Sequence, residues 1–249
     1  MTIFHAIFLG LVQGLTEFLP ISSSGHLLLF EKLFGLGGNL LFFDVCLHFG
    51  TLLAVIIYHK KEVLYLIKHP FCEKAKQLYL ASGVTFVLVL IFKESLLSFF
   101  SGKILGFCFL VTAILLLVAS SILKKNKTKK INYFSSAVIG FSQFVACLPG
   151  ISRSGTTLAT SLILGNEKEE SLSFSFLLSI PIILASMVFS LVEGGGVSVS
   201  PSLIIIATIF SFLSGLLSIS VLKNLLNKNK LFYFALYLII LAVVVFVLF

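Results

Sequence analysis

The 249-residue chain is 58% hydrophobic and 11% charged, with a mean hydropathy of +1.13. Soluble domains carry roughly 25% charged residues, so a water-soluble globule is excluded and lipid is the expected solvent. The formal net charge of +8 does not indicate a nucleic-acid partner, because the basic residues are almost all lysines at the ends of apolar runs, which is a membrane-orientation pattern.

Taken in chain order, residues 3 to 33 form an apolar region cut at Pro20 and the serines after it. They lack a basic leader segment and carry Gln13 and Glu17, so they read as mature structure rather than a signal peptide. Uninterrupted spans follow at 41 to 58, 77 to 92 and 103 to 123. A second broken region, 133 to 164, is cut at Pro149-Gly150 and Ser-Arg-Ser-Gly, and further spans lie at 171 to 192, 202 to 222 and 231 to 249. Each half of a broken region has roughly 12 to 16 residues, too few to cross the hydrocarbon layer at about 1.5 Å per residue. The expected fold is therefore an all-α polytopic membrane protein, one membrane domain over 1–249, with six transmembrane helices and two re-entrant helix-break-helix hairpins. Cys46, Cys72, Cys108 and Cys147 stand singly, without C-x-x-C spacing, and are expected to pack between helices.

At an offset of 130 residues, positions 10 to 25 and 140 to 155 share Gly10/Gly140, Gln13/Gln143, Ile21/Ile151, Ser22/Ser152, Ser24/Ser154 and Gly25/Gly155. The same offset carries the first three spans onto the last three, which predicts internal repeats 1–125 and 131–249. Three spans per repeat is an odd number, so the second copy inverts relative to the first. If the loop at 59 to 76 is cytoplasmic, fourteen lysines lie inside and Lys32, Lys93 and Lys103 outside, with both termini outside. The hairpins then enter from opposite faces, and their tips can meet near the middle of the bilayer.

Ionisable side chains at membrane depth are costly and point to function. Seven of the ten acidic residues fall in loops, Glu62 among them, leaving Glu17, Glu31 and Asp44 with His26, His48 and the sole arginine, Arg153. A guanidinium stays charged and offers a planar donor fork matched to phosphate oxygens. Around it, Ser152, Ser154, Gly155, Thr156 and Thr157 at a helix start predict an anion cradle of amides and hydroxyls. The opposite tip, Ser22-Ser23-Ser24-Gly25-His26, is a second hydroxyl-rich helix start. Gln13 and Glu17, four residues apart on one face, suit a divalent cation, Mg²⁺ or Ca²⁺, held between a carboxylate and substrate phosphates; a direct Glu17–Arg153 ion pair is the alternative. The nucleophile could be Ser23 assisted by His26, His26 itself, or a water activated by Glu17 and a metal. Asp44 and His48 read as either an interhelix hydrogen bond or support for the site. His5, His59 and His69 are expected to be solvated at the interfaces.

The motifs Gln-x-x-x-Glu at 13 to 17, Ser-Ser-Ser-Gly-His at 22 to 26 and Pro-Gly-Ile-Ser-Arg-Ser-Gly-Thr-Thr at 149 to 157 resemble the bacterial undecaprenyl-pyrophosphate phosphatases of the bacitracin-resistance type, over the whole chain. The resemblance implies hydrolysis of undecaprenyl diphosphate to undecaprenyl phosphate and inorganic phosphate, recycling the lipid carrier of cell-wall synthesis in the bacterial plasma membrane. It also implies a divalent-metal requirement, a site opening to the outer face, and competition by bacitracin for the substrate. Carried over by motif, Gln13 and Glu17 take the metal, Ser23 and His26 are the conserved serine and histidine, and Ser152, Arg153, Ser154 and Thr157 form the arginine motif. Many members have glutamate where this chain has Gln13, which weakens metal binding through charge at that position. A homodimer is compatible with the sequence.

The other membrane phosphatase superfamily, with its Lys-x6-Arg-Pro and later Arg-x5-His motifs, is excluded because Arg153 is the sole arginine and no histidine follows it. A lipid-phosphate or anion transporter of the inverted-repeat kind is the alternative function, and a non-catalytic bacitracin-binding scaffold a third. Transport alone requires no nucleophile beside Glu17.

Overall fold

The computed structural model describes residues 1–37, 40–98, 104–123, 129–192 and 199–248. Lys103, the inner-side lysines Lys124, Lys125 and Lys127, and Glu193, one of the seven acidic residues expected in loops, lie outside these.

The first broken region forms α1 (Ile3–Phe18) and α2 (Ser23–Leu33). Thr2 caps α1 by accepting the His5 amide, and Pro20, which has no amide to donate, lies in the interruption between the two helices. After it come α3 (Leu41–Tyr58), the short α4 (Lys60–Lys68), α5 (Glu73–Ile91), α6 (Lys93–Ser98) and α7 (Leu105–Ile122). The second broken region gives α8 (Tyr133–Val145), capped by Asn132, and α9 (Arg153–Ile163), capped by Ser152. The chain then runs through α10 (Lys168–Val192), α11 (Pro201–Asn227), with proline at its first turn where no amide is needed, and α12 (Leu231–Leu248).

Among the described residues six helices, α3, α5, α7, α10, α11 and α12, are long and apolar enough to cross a bilayer, and they are the six spans read from the sequence. Large apolar side chains such as Leu90, Phe134 and Val247 cover the outside, as lipid solvent requires. The helix α4 is a correction, because Glu62 lies within it and not in a loop, and Glu73, Glu94, Glu169 and Glu170 likewise lie in the first turns of α5, α6 and α10. Val63 and Leu66 of α4 pack on the cluster of Leu78, Ala81, Phe174 and Leu177, while Leu64 and Ile67 are exposed. A segment this short and charged is invisible to a search for long apolar runs.

Between lipid-solvated helices there is little hydrophobic drive, so small residues and hydroxyls make the contacts. Helix α1 lies so close to α11 that a Cβ on Gly10 would sit 2.3 Å from the Ala207 carbonyl oxygen, and one on Gly14 2.0 Å from Ser214 Oγ. Ser218 Oγ donates to the Gly14 carbonyl at 2.8 Å, and Ser211 Oγ to the Leu47 carbonyl of α3 at 2.7 Å. Helix α8 packs on α5 in the same manner. A Cβ on Gly140 would meet the Ala81 carbonyl oxygen at 2.3 Å, and Thr85 Oγ1 donates to the Gly140 carbonyl at 2.9 Å. A core of Phe18, Phe109, Leu116, Leu158, Phe176 and Leu238 fills the space among α1, α7, α9, α10 and α12.

Towards one end, α4 is tied to α5 and α10. Glu62 pairs with Lys74, and its Oε2 accepts from Ser173 Oγ at 2.7 Å and lies 3.2 Å from His59 Nδ1. His59, expected to be solvated, therefore belongs to a polar cluster beside Phe176. Burial would raise the Glu62 carboxyl, but the hydrogen bonds from His59, Lys74 and Ser173 and the Lys74 charge outweigh it and hold the group down at about 2.

Candidate active site

The two interruptions touch. Beyond Phe18 the chain turns through Leu19 and Ile21, whose amide donates to the Leu19 carbonyl at 2.7 Å. It reaches Ser22 with φ 69°, a left-handed backbone that a serine adopts only under strain. The second interruption turns at Gly150, φ 92°, where glycine is unstrained. A Cβ on Gly25 would lie 3.2 Å from the Gly150 Cα and collide with Phe109, and one on Gly155 would lie 3.0 Å from Pro20 Cβ. These two glycines, expected to bind substrate, also allow the breaks to approach. Ser154 Oγ adds a hydrogen bond across the junction to the Leu19 carbonyl at 3.2 Å, and Thr112 of α7 holds the Ser152 amide at 3.0 Å.

At the junction Arg153 Nη2 donates to Glu17 Oε1 in a close ion pair. The other carboxylate oxygen, Oε2, accepts from Ser23 Oγ at 2.5 Å and Gln13 Nε2 at 2.9 Å. The second amide hydrogen of Gln13 is directed to His48 Nδ1 at 2.9 Å, and that nitrogen lies 3.3 Å from Glu17 Oε2. His48 thus makes an interhelix hydrogen bond, from α3 to α1, and makes it beside Glu17. Both members of the ion pair are largely withdrawn from solvent, with side-chain exposures of 5% for Glu17 and 14% for Arg153. Such a pair withstands desolvation only with further hydrogen bonds on its remaining lone pairs, which Ser23 and Gln13 supply.

Some expected groups are engaged elsewhere. Both nitrogens of His26 are taken, Nδ1 by the Ser22 carbonyl at 2.7 Å and Nε2 by Tyr237 Oη at 2.6 Å, so Ser23 is paired with Glu17 rather than with His26. Ser22 Oγ caps the Gly25 amide at 3.3 Å, with Ser24 Oγ 3.5 Å away. Thr157 Oγ1 is shared with Ser175 at 2.6 Å, and Ser152 Oγ caps the Gly155 amide at 3.1 Å. Arg153 Nη1 and Thr156 Oγ1, by contrast, are buried without a hydrogen-bond partner among the described residues, which is the condition expected of groups that receive a ligand. The Arg153 and Ser154 amides, at the start of α9, also have no acceptor within the helix.

Gln13 Oε1 is likewise buried and unpartnered. Gln13 meets Glu17 through Nε2, and its free amide oxygen with the neighbouring carboxylate gives the donor types of a hard divalent cation whose other ligands are phosphate oxygens and water; among the described residues no three His, Cys, Asp or Glu side chains gather into a site of their own. Tyr237 was not anticipated from the sequence. The available signal was a hydroxyl well inside an apolar span, where it has to find a partner.

Helical throughout its described elements, with a buried charge pair where two interrupted helix pairs meet, the chain is a multi-pass membrane protein by fold and site. Residues 6–244 match the model of the family described as bacitracin resistance protein BacA, and the chain belongs to that family. It is 40% identical to an undecaprenyl-diphosphatase of Christiangramia forsetii, over 95% of this chain and 94% of that protein. It is 39% identical to one of Halothermothrix orenii, over 100% and 98%, and 42% identical to one of Caldicellulosiruptor bescii, over 98% and 97%.

Proposed function

We propose that this chain hydrolyses undecaprenyl diphosphate to undecaprenyl phosphate and inorganic phosphate. The observation that carries the reading is the Ser23–Glu17–Arg153 chain, a hydroxyl on a carboxylate that is itself held by a guanidinium with a spare donor. Family membership and the name borne by the relatives agree with it.

In this mechanism the terminal phosphoryl group is received by Arg153 Nη1, Thr156 Oγ1 and the first amides of α9, at a helix N-terminus that favours anions. Ser23 Oγ attacks phosphorus and its proton passes to Glu17 Oε2. The bond from phosphorus to the bridging oxygen breaks, and undecaprenyl phosphate leaves with the proton that Glu17 returns to it; water then gives a proton to Glu17 as it cleaves the phosphoserine, and Glu17 passes that proton to the departing Ser23 oxygen as inorganic phosphate is released. Arg153 neutralises charge spread over the equatorial oxygens, the electrostatic work on which phosphoryl transfer chiefly depends. Glu17 and Gln13 Oε1 would hold the divalent cation, Mg²⁺ or Ca²⁺, which when bound supplies charge neutralisation at the phosphates. The transporter alternative gains nothing from these observations, since transport has no use for a serine poised on a carboxylate.

The setting belongs to the same proposal. The broken pairs α1–α2 and α8–α9 are re-entrant hairpins of an inverted repeat, a reading supported by the like contacts of Gly10 with Ala207 and Gly140 with Ala81. The protein lies in the bacterial plasma membrane, lysine-rich loops inside and termini outside, with the site open to the outer face. Bacitracin competes for the substrate, and a homodimer is compatible with the exposed apolar surface.

The test is phosphate release by the purified protein from undecaprenyl or farnesyl diphosphate, with and without chelator. Release that stops on chelation and resumes with Mg²⁺ or Ca²⁺ is expected; no release under any condition overturns the function, and release indifferent to chelator overturns the metal.

A further inference from the structure

The last span reaches the first interruption through a single side-chain pair. Tyr237 of α12, 211 residues from His26 in sequence, places its hydroxyl 2.6 Å from His26 Nε2, and the two rings lie nearly parallel, 7° apart in plane with centroids at 5.7 Å. On the other side of the imidazole, Nδ1 is 2.7 Å from the Ser22 carbonyl oxygen, which also accepts the His26 amide at 3.2 Å. A carbonyl only accepts, so Nδ1 carries a proton. In the neutral ring Nε2 then has the lone pair and accepts the Tyr237 O–H, which fixes the tautomer.

The carbonyl so held belongs to the residue with φ 69°, immediately before Ser23. Strain of this kind persists only where surrounding contacts enforce it. The contacts here are the Ser22 cap on the Gly25 amide and the doubled hydrogen bond from His26. Relaxation of Ser22 towards negative φ would turn the peptide that leads into Ser23 and carry its hydroxyl away from Glu17 Oε2. We propose that Tyr237 is a positioning residue for the reaction, acting through His26 on the Ser22 carbonyl to aim Ser23 at Glu17; the proposal rests on the phosphatase reading above. It gives His26 an orienting role in place of proton transfer, and α12 a part in chemistry carried out between the broken pairs.

Tyr237→Phe keeps the stacked ring and removes the hydroxyl. A cavity of about 420 Å³ bounded by Ile21, Lys230, Tyr233 and Tyr237 lies beside it and can admit water, so the histidine itself is read as well as the rate. In the purified full-length protein, ¹⁵N-histidine NMR at neutral pH should give the Nδ1–H tautomer for His26, assigned by its loss in His26→Ala. In Tyr237→Phe the Nε2–H form should appear. The same variant should lose on the order of 10–100-fold in kcat, the scale of a displacement of about 1 Å at a reacting group, with KM little changed. His26→Ala combined with Tyr237→Phe should be no slower than His26→Ala alone, because the tyrosine acts through the histidine. An Nε2–H tautomer in the unsubstituted protein, an unchanged kcat in Tyr237→Phe, or fully additive losses in the double variant would each overturn the proposal. Absence of phosphate release from the unsubstituted protein would instead overturn the phosphatase reading itself.

Discussion

Glu17 and Arg153, 136 residues apart in the chain, form one buried ion pair, and each stands at the interruption of a different helix pair. At the 130-residue offset the partner of Glu17 is Cys147 and that of Arg153 is Ser23. One half of the chain therefore provides carboxylate and hydroxyl, the other the cation, and neither interruption has a complete site by itself.

That division makes the pair sensitive to geometry as well as charge. Arg153→Lys keeps the charge but loses the planar fork, and Glu17→Gln keeps the shape but loses the base. Each is expected to lower phosphate release by about 10²–10³-fold, the usual effect of removing a preorganised charged group. Near-normal turnover by Arg153→Lys would mean that the spare Nη1 donor is not used.

Ser23→Ala should lower turnover by at least about 10²-fold while leaving the Glu17–Arg153 pair in place. With substrate labelled on its terminal phosphate, rapid acid quenching of the unsubstituted protein should leave label on the peptide that contains Ser23. Label found only in inorganic phosphate at every quench time would assign the attack to water.

The α1–α11 contact leaves no room for a methyl group. Gly14→Ala puts a Cβ 2.3 Å from the Ser211 carbonyl oxygen, whereas a Cβ on Gly83 meets nothing within 4 Å. Overpacking costs typically about 1–3 kcal/mol, so Gly14→Ala should melt earlier in detergent and, by shifting the helix that carries Glu17, lose activity. Gly83→Ala lies mid-helix in α5 and should be neutral or slightly stabilising, by up to about 1 kcal/mol. Equal melting temperatures for the two variants would show that α1 can move away from α11 without cost.

Glu62 provides a pH test away from the site. Its carboxyl is held at about 2 against an ordinary 4.5, so its partners stabilise the folded state fully above 4.5. That contribution declines as pH falls towards 2, where the folded protein also takes up the proton. The stability difference between the unsubstituted protein and Glu62→Gln should therefore be constant above pH 5 and shrink below it, as followed by thermal melting. A difference that grows on acidification would contradict the assignment.

The sequence by itself determined the membrane class, the six spans and the two interruptions, because these follow from local quantities: the length of apolar runs and the rigidity of Pro20 and Pro149. It also singled out Glu17 and Arg153, since an ionisable group at membrane depth is conspicuous in any lipid-solvated chain. Left open were the nucleophile's partner and the place of His48; Tyr237, the helix α4 and the Glu62 cluster were not visible at all. Those depend on which helix faces lie together. The approach of α1 to α11, set by Gly10 and Gly14, and the left-handed turn at Ser22 decide which hydroxyl reaches Glu17. Hydrogen bonds span only about 3 Å, so a pairing between residues 211 positions apart is fixed by tertiary packing and by nothing in the local sequence.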